Sequence, residues 1–378
     1  MRPESESEIA AILRTARAPL TIIGGGTRSR PASGDVLSTR GLTGITLYEP
    51  AAMTLIARAG TPLAEIEAAL AAENQRLAFE PPNRADAWAG GDPRDGEDVA
   101  PGARREASTI GGVIAANASG PRRIQSGAAR DSLIGLRFVD GTGEVIANGG
   151  RVMKNVTGYD LVKLMAGSRG MLGVLTEVAL RTAPVPPASV TLMLRCPAQR
   201  AVPAMTAALT GPWDISGAGW LPDLGVVLRL EGLPGSVALR ARTLSARLEP
   251  FGAAGMLDEA AAAWRRLGAL AAGWGPGAED MAEDMAEGAV WRILCRPSQV
   301  DALLAANGGH EPLAMDWGGG LVILPLPAGA LPALPPQARA RRLSGAMMDL
   351  PLPDPVTARL NEGLRARFDP RGILAGAI

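Results

Sequence analysis

The chain has very little histidine and cysteine: one His310, one Cys196 and one Cys295 in 378 residues. A single imidazole excludes metal sites built on two histidines, haem held by a histidine pair, and a His–Asp relay anywhere but at that position. Two distant cysteines without a C-x-x-C exclude an iron–sulfur cluster or a four-cysteine zinc site within the chain, and free thiols are the expectation. Lysine is almost missing too: apart from Lys154 and Lys163, arginine carries the positive charge, a bias that reads with the abundant Ala, Gly and Pro as GC-rich coding. The 38 basic residues balance 38 acidic ones, so no overall field draws in nucleic acid or an anionic membrane. No run approaches the roughly 18 apolar residues a membrane span needs. The opening "MRPESESEIAAILRTARA" is acidic and amphipathic, unlike a signal peptide. These absences predict a soluble, cytoplasmic protein with no metal site and no direct membrane insertion.

A chain of this length can bury two cores. Ser5 and Glu8 have capping-box spacing, and Ile9, Ile12, Leu13 and Ala16 then form one apolar helical face. "PLTIIG", "GITLYEP" and "MTLIARAG" read as strands. "TPLAEIEAALAAENQ" reads as a helix with Thr61 as N-cap, Pro62 at the first helical position, and Leu63, Ile66 and Leu70 facing inward. "RLAFEPP" reads as a further strand. Strands and helices mix without a regular βαβ repeat, which predicts an α+β fold. Residues 83–107 are polar and Gly/Pro-rich, the composition of a long loop. "LRFVDGTGEVI" reads as a hairpin turning at Asp140–Gly143. The Pro-rich 183–189 marks a boundary. Beyond it come strands "VTLMLRC", "GVVLRLEG", "VWRILCRP" and "GLVILPLP", with helices near 198–209, 235–248 and 298–306, which make a second α+β unit. "EDMAEDMAE" at 279–287 is a solvated segment, and a last helix near 355–367 precedes "FDPRGILAG".

The glycines are the informative excess. "TIIGGGTRSR" sets Gly24, Gly25 and Gly26 after a β-branched run, before two arginines. Consecutive glycines turn sharply and expose backbone N–H groups to a ligand. Neither common nucleotide motif fits: Ser29 stands where G-x-G-x-x-G needs its third glycine, and no glycine precedes a lysine as a P-loop requires. Alone, the triplet reads equally well as a strand-ending turn. "STIGGVIAANASGPRRIQSGAARDS" and "GYDLVKLMAGSRGMLGVLTEVAL" add glycines beside Asn, Ser, Thr and Arg, where a backbone can lie against a flat ligand or a pyrophosphate.

These segments, in this order, together with the terminal "FDPRGIL", resemble the FAD-binding domain of the vanillyl-alcohol-oxidase (PCMH-type) family over residues 19–182 and the C-terminal tail. Within that family the chain is similar to the FAD-binding E subunits of glycolate oxidase. The resemblance implies a PCMH-type FAD-binding domain of two α+β subdomains at 1–183, a smaller α+β cap domain at 184–345, and a C-terminal segment at 346–378 returning to the FAD domain. It implies FAD bound along Gly24, Gly25, Gly26, Thr27, Arg28, Ser29, Thr109, Gly111, Gly112, Asn117, Ser119, Gly120, Gly127, Asp131, Gly173 and Val174. The family's "GSEGTLG" is "GSRGMLG" here, which puts the side-chain roles of Arg169 and Met171 in doubt. With no His or Cys near these loops, the FAD is expected to be non-covalent. The resemblance also implies a glycolate oxidase subunit working with a catalytic flavoprotein subunit and an iron–sulfur subunit, held at the inner membrane, if at all, only peripherally through those partners.

Oxidising a 2-hydroxy acid requires a hydride acceptor, a base for the hydroxyl proton and a cation for the carboxylate. Arg229 and Arg292, in cap strands, are the candidate cations. Tyr159 and His310 are the only groups offered as a base, and neither stands out from a packing or loop residue. Three readings stay open: a subunit of a glycolate-oxidising complex, a self-sufficient FAD-dependent 2-hydroxy-acid dehydrogenase, and a structural subunit with an inert flavin site.

Overall fold

The computed structural model describes residues 1–27, 35–83, 108–150, 158–273, 288–343 and 348–376. Arg28, Ser29, all but the first residue of the expected 83–107 loop, and the 279–287 segment lie outside them.

Helix α1 (Glu6–Thr15) starts where the sequence predicts, with Ser5 Oγ accepting from Glu8 N at 3.2 Å. The Glu8 carboxylate reaches back to Glu4 N rather than to the cap residue itself. Ile9, Ala10 and Leu13 are buried against β1 (Leu20–Ile23), while Ile12 and Ala16 pack at the edge of that cluster. β1 pairs in parallel with β2 (Asp35–Ser38). β3 (Ile45–Glu49) and β4 (Thr54–Arg58) lead into α2 (Leu63–Ala72). Leu63, Ile66 and Leu70 of α2 are buried, as their spacing predicts. Thr61 is not the cap: the helix begins one residue later with Pro62 in that place. Thr61 Oγ1 instead donates to Arg58 O and accepts from Gly44 N, which ties the two ends of the β3–β4 hairpin to the helix start.

The "RLAFEPP" strand shrinks to β5 (Gln75–Arg76). Leu77 and Phe79 are drawn into the core, and Glu80 adopts φ +48°, so the backbone turns away from any ladder. After the short helices α3 (Ile110–Ala115), α4 (Arg123–Ser126) and α5 (Ala129–Ser132) come β6 (Leu133–Val139) and β7 (Val145–Gly149). These two form the expected hairpin, and Asp140 Oδ1 accepts from Thr142 N and Glu144 N to fix its turn. Helix α6 (Leu161–Met165) precedes β8 (Val174–Arg181), and β9 (Ala183–Pro184) pairs with β5. The resulting antiparallel sheet runs β3-β4-β8-β6-β7.

β10 (Ala188–Leu194), β11 (Ile215–Leu221), β12 (Gly225–Gly232), β13 (Ala254–Met256), β14 (Ala289–Leu294), β15 (Ala314–Asp316), β16 (Leu321–Leu326), β17 (Arg339–Arg342) and β18 (Asp349–Leu350) belong to a second sheet. Among the described residues it has nine strands, in the order β13-β10-β12-β11-β15-β16-β14-β17-β18. Helices α7 (Ala198–Leu209), α8 (Pro234–Leu248) and α10 (Val300–Ala306) cover one face, burying Leu228, Leu230, Trp291, Ile293 and Met315. Helix α9 (Ala260–Ala271) covers part of the other, over Val227, Val290 and Ala314. Side chains alternate across a strand, so Arg229, Arg292 and Asp316, each two residues beyond one of those three, fall on the α9 face.

β11, "ISGAGWL", is buried throughout and carries no alternation to betray it. An added Cβ on Gly217 would come within 2.9 Å of the Trp264 ring, and one on Gly219 within 2.7 Å of Leu267. Its glycines let α9 lie close. Helix α11 (Pro355–Phe368) is capped by Asp354 and followed by β19 (Leu374–Gly376), which pairs in parallel with the other edge of β1. Both cysteines are free, and no described helix is long and apolar enough to cross a membrane.

Candidate functional site

The loop after β1 meets the start of α3 backbone to backbone. A Cβ on Gly24 would lie 2.3 Å from Thr109 Oγ1 and 3.3 Å from Gly112 Cα. Thr109 is the α3 N-cap, its Oγ1 accepting from Gly112 N, and Thr27 Oγ1 lies 3.2 Å from Ser108 Oγ. The carbonyls of Gly24 and Gly25 accept from Ser38 Oγ and Arg40 Nη2. The N–H groups of Gly25 and Gly26 have no acceptor among the described residues. Free backbone donors on a loop stripped of side chains are a cradle for an anionic group such as a pyrophosphate. Gly24→Val must displace Thr109 from its cap, which costs about 1 kcal/mol, and must push the loop off α3. The expected result is at least a tenfold weaker FAD affinity by fluorescence titration with an unchanged far-UV circular dichroism spectrum; wild-type affinity would remove Gly24 from the cradle.

A second group gathers between α3 and α6. Asn117, at φ +48°, accepts from Arg130 N through Oδ1, Ser119 Oγ accepts from Ala129 N, and Asp131 Oδ2 accepts from Ala128 N. Lys163 Nζ lies 3.6 Å from Asp131. These polar side chains fix the path of the loop, leaving its backbone to face a ligand. Gly120 packs on Glu80 O, Gly111 on Ala59, Gly127 (φ +81°) on Asp131, and Gly173 on the Phe138 ring. Close packing therefore accounts for these four glycines. Val174 departs from its expected place: it is fully buried with Ile9, Leu13, Leu20 and Val139 because its strand position turns it into that core.

An ion-pair network joins these loops to the second sheet. Arg229 Nη1 and Nη2 donate to Glu80 at 2.9 and 2.7 Å, and Arg122 Nη1 donates to Glu80 at 2.6 Å. Glu231 accepts from Arg122 Nη2 at 2.8 Å and from Arg76 Nη1 at 2.7 Å. Burial works against the Glu231 carboxylate, but the hydrogen bonds from Arg122 and Arg76 hold its pKa far below the ordinary range. This corrects the role expected of Arg229. Its guanidinium is held by Glu80 and Ser216 and stacks 4.4 Å over Trp264, so the fork that would clamp a substrate carboxylate is already occupied. A cavity of about 780 Å³ opens behind the network between α2 and α9, and neither Gly24–Thr27 nor Arg292 lines it.

Arg292 is different. It is half-buried, and among the described residues it has no hydrogen bond and no carboxylate within ion-pair distance. Burial, then the charge of Arg123, lowers its pKa to about 10, with Asp316 and Asp349 offsetting part of this. Arg123, from the "GPRR" segment that follows Gly120, also lacks a hydrogen-bond partner among the described residues. The two guanidinium carbons lie 4.5 Å (Arg123) and 5.2 Å (Arg292) from the centre of the Trp317 ring. Trp317 has φ +55°, uncommon for a bulky residue and a pointer to a constrained site. Its Nε1 donates to Gly120 O at 3.1 Å, tying the second sheet to the glycine loop. Arg123, Asp316 and Trp317 went unnoticed in the sequence. The signal available was the alternation in β14 and β15, which sets Arg292 and Asp316 on one face.

The remaining candidates fall elsewhere. Tyr159 is 88% exposed beside β7, and the structure brings it to none of the other described candidates. His310 sits in the exposed turn after α10. Neither is placed to act as a base at Arg292.

Asp316 is buried, and burial raises its pKa to about 7 against the hydrogen bond from Trp317 N; Glu80 adds to the rise while Arg229 and Arg292 oppose it. A carboxyl whose folded pKa exceeds its unfolded value near 4 binds its proton more tightly when folded. Its contribution to stability is therefore complete below about pH 4 and is lost as pH rises toward 7. The neutral isostere Asp316→Asn should become more stable relative to the wild type by on the order of 4 kcal/mol between pH 4 and 8, read from urea midpoints. A pH-independent difference would mean that Asp316 does not titrate in this window.

Residues 1–96 and 98–148 match the FAD binding domain family, and FAD is the cofactor. The chain is 39% identical over 224 residues to glycolate oxidase subunit GlcE of Escherichia coli, an alignment covering 58% of each protein. It is 44% identical over 86 residues to glycolate oxidase subunit GlcD of Bacillus subtilis, covering 23% of this chain and 18% of that one. It is also 32% identical over 192 residues to a D-lactate dehydrogenase of Archaeoglobus fulgidus, covering 49% and 38%. In these alignments the chain spans 58% or less of the relatives' own length. Its fold is that of alkyldihydroxyacetonephosphate synthase: a solved structure of that enzyme superposes with a TM-score of 0.66 at 16% identity, covering 99% of this chain and 76% of the other.

Proposed function

We propose that this FAD-binding chain is a subunit of a glycolate oxidase-type complex that oxidises a small 2-hydroxy acid, glycolate first among them, at its own flavin. In this reading the electrons leave for an iron–sulfur partner, and a second flavoprotein chain shares the assembly. The observation that carries it is the pair Arg123 and Arg292, two half-buried guanidinium groups with no hydrogen bond or ion pair among the described residues, lying 4.5 and 5.2 Å from the Trp317 ring centre. Neighbouring cations partly withdrawn from water are costly without an anion, and an anionic substrate resolves that cost. An arginine fork matches a carboxylate.

The residues present fit the cofactor: Gly24 lets the loop pack backbone to backbone on the Thr109–Gly112 turn, and beside it the N–H groups of Gly25 and Gly26 have no acceptor among the described residues. Bound FAD supplies the two-electron acceptor. The protein's own part is to hold the acid. Arg292 and Arg123 grip its carboxylate. The Trp317 indole fixes that grip relative to Gly120, which belongs to the same loop as Asn117 and Ser119.

The test is to purify the chain alone, reconstitute it with FAD, and follow the visible flavin band under anaerobic glycolate. Bound flavin that bleaches supports the proposal. If the bleached flavin passes its electrons to a soluble acceptor as fast alone as in the complex, the chain is a self-sufficient 2-hydroxy-acid dehydrogenase, a reading the cation pair also favours. Flavin that binds but bleaches only when the partner flavoprotein is added moves catalysis to that partner. A chain that takes up no FAD is a structural subunit.

A further inference from the structure

Asp316 ends β15 on the face that also carries Arg292. One carboxyl oxygen has a partner: Oδ1 accepts from Trp317 N at 2.7 Å. The other, Oδ2, is shut away from water and has no hydrogen bond among the described residues. A buried carboxyl oxygen left alone is costly in either protonation state, because the acid form needs an acceptor and the anion needs a donor. Two groups are therefore unmatched among the described residues around Trp317, a half-buried guanidinium without an ion-pair partner and a buried carboxyl oxygen without a donor, with Trp317 touching both. A 2-hydroxy acid carries the two complements on neighbouring carbons.

Resting on the function proposed above, we propose that Asp316 receives the substrate hydroxyl, Oδ2 accepting first its hydrogen bond and then its proton. In the balanced step the O–H bond breaks and the proton goes to Oδ2. The electron pair left behind becomes the second bond of the new carbonyl. The C2–H bond breaks with its electron pair, and that hydride goes to the flavin. The acid is oxidised by two electrons and Asp316 ends neutral. Glu80, Arg229 and Arg292 are the charged groups acting on this carboxyl, and burial places its titration near pH 7, where an acceptor for a hydroxyl proton is most effective.

The test uses FAD-loaded chain, with anaerobic flavin reduction by glycolate and calorimetric binding of glycolate and acetate to the dithionite-reduced protein. Wild-type reduction is expected to rise with pH through an apparent pKa near 7. Asp316→Asn keeps a hydrogen-bond acceptor but cannot take the proton. It should bind glycolate within about threefold of wild type and reduce on the order of 10²-fold or more slowly, without that pH dependence. Asp316→Leu should in addition weaken glycolate about tenfold while leaving acetate, which has no hydroxyl, unchanged. FAD stoichiometry and urea midpoints confirm that both variants fold. Wild-type reduction with Asp316→Asn equally fast and equally pH-dependent overturns the role of Asp316 and leaves the proposed function standing. Equal loss of glycolate and acetate binding in Asp316→Leu overturns it too, as the mark of a merely structural carboxyl. A wild-type chain that neither binds nor is reduced by glycolate overturns both.

Discussion

Arg292→Met keeps its FAD and lowers the second-order rate of flavin reduction by glycolate by about 10²- to 10³-fold, since removing one partner of a desolvated charge pair costs roughly 2–5 kcal/mol. The reason is local. Arg292 is a half-buried cation without a carboxylate partner among the described residues, its pKa lowered to about 10 by burial and by Arg123. Arg292→Lys is expected to fall between wild type and Met, because an ammonium retains the charge without the planar fork. A second readout separates this role from a structural one. An unpaired, partly desolvated charge does not help folding, so the urea midpoint of Arg292→Met should be equal to or above that of the wild type. A rate within threefold of wild type in the Met variant would move the carboxylate site elsewhere, and a marked loss of stability would show that Arg292 has a folding partner.

Arg229 should behave in the opposite way. It is 3% exposed and doubly bonded to Glu80, whose other partner, Arg122, also holds Glu231. Truncation to Ala leaves part of the Glu80 charge unmatched, removes the stack on Trp264 and opens a space beside Gly217. Breaking a buried pair from one side costs about 3–5 kcal/mol, a large part of a typical domain's stability. The loss appears in urea or thermal unfolding, with flavin reduction per folded molecule little changed. A cost below about 1 kcal/mol would place the pair among those surface bridges that contribute little. The two arginines were indistinguishable as candidates in the sequence, each in a β-branched or apolar strand. They separate only because Glu80, from a left-handed turn well over a hundred residues away in the chain, reaches one and not the other.

The α+β class, the capped first helix, the Asp140–Gly143 hairpin, the helices over 198–209 and 235–248, and the glycine clusters are legible in the sequence. Each is written in local physics: a side-chain cap, a periodicity, a turn residue, or a chain with no Cβ where backbone meets backbone. Where the local signal was absent, the reading failed. β11 has no alternation because both its faces are covered, and "RLAFEPP" looked like a strand because burial of Leu77 and Phe79 mimics one. The folded arrangement fixes which glycines answer to packing and which leave N–H groups without an acceptor among the described residues. It also decides which arginine is neutralised and that Asp316 keeps an orphan oxygen beside Trp317. Those properties depend on what approaches a group from distant parts of the chain: the charge of Arg292 and the pKa of Asp316 are set by burial and by neighbours that share no stretch of sequence with them.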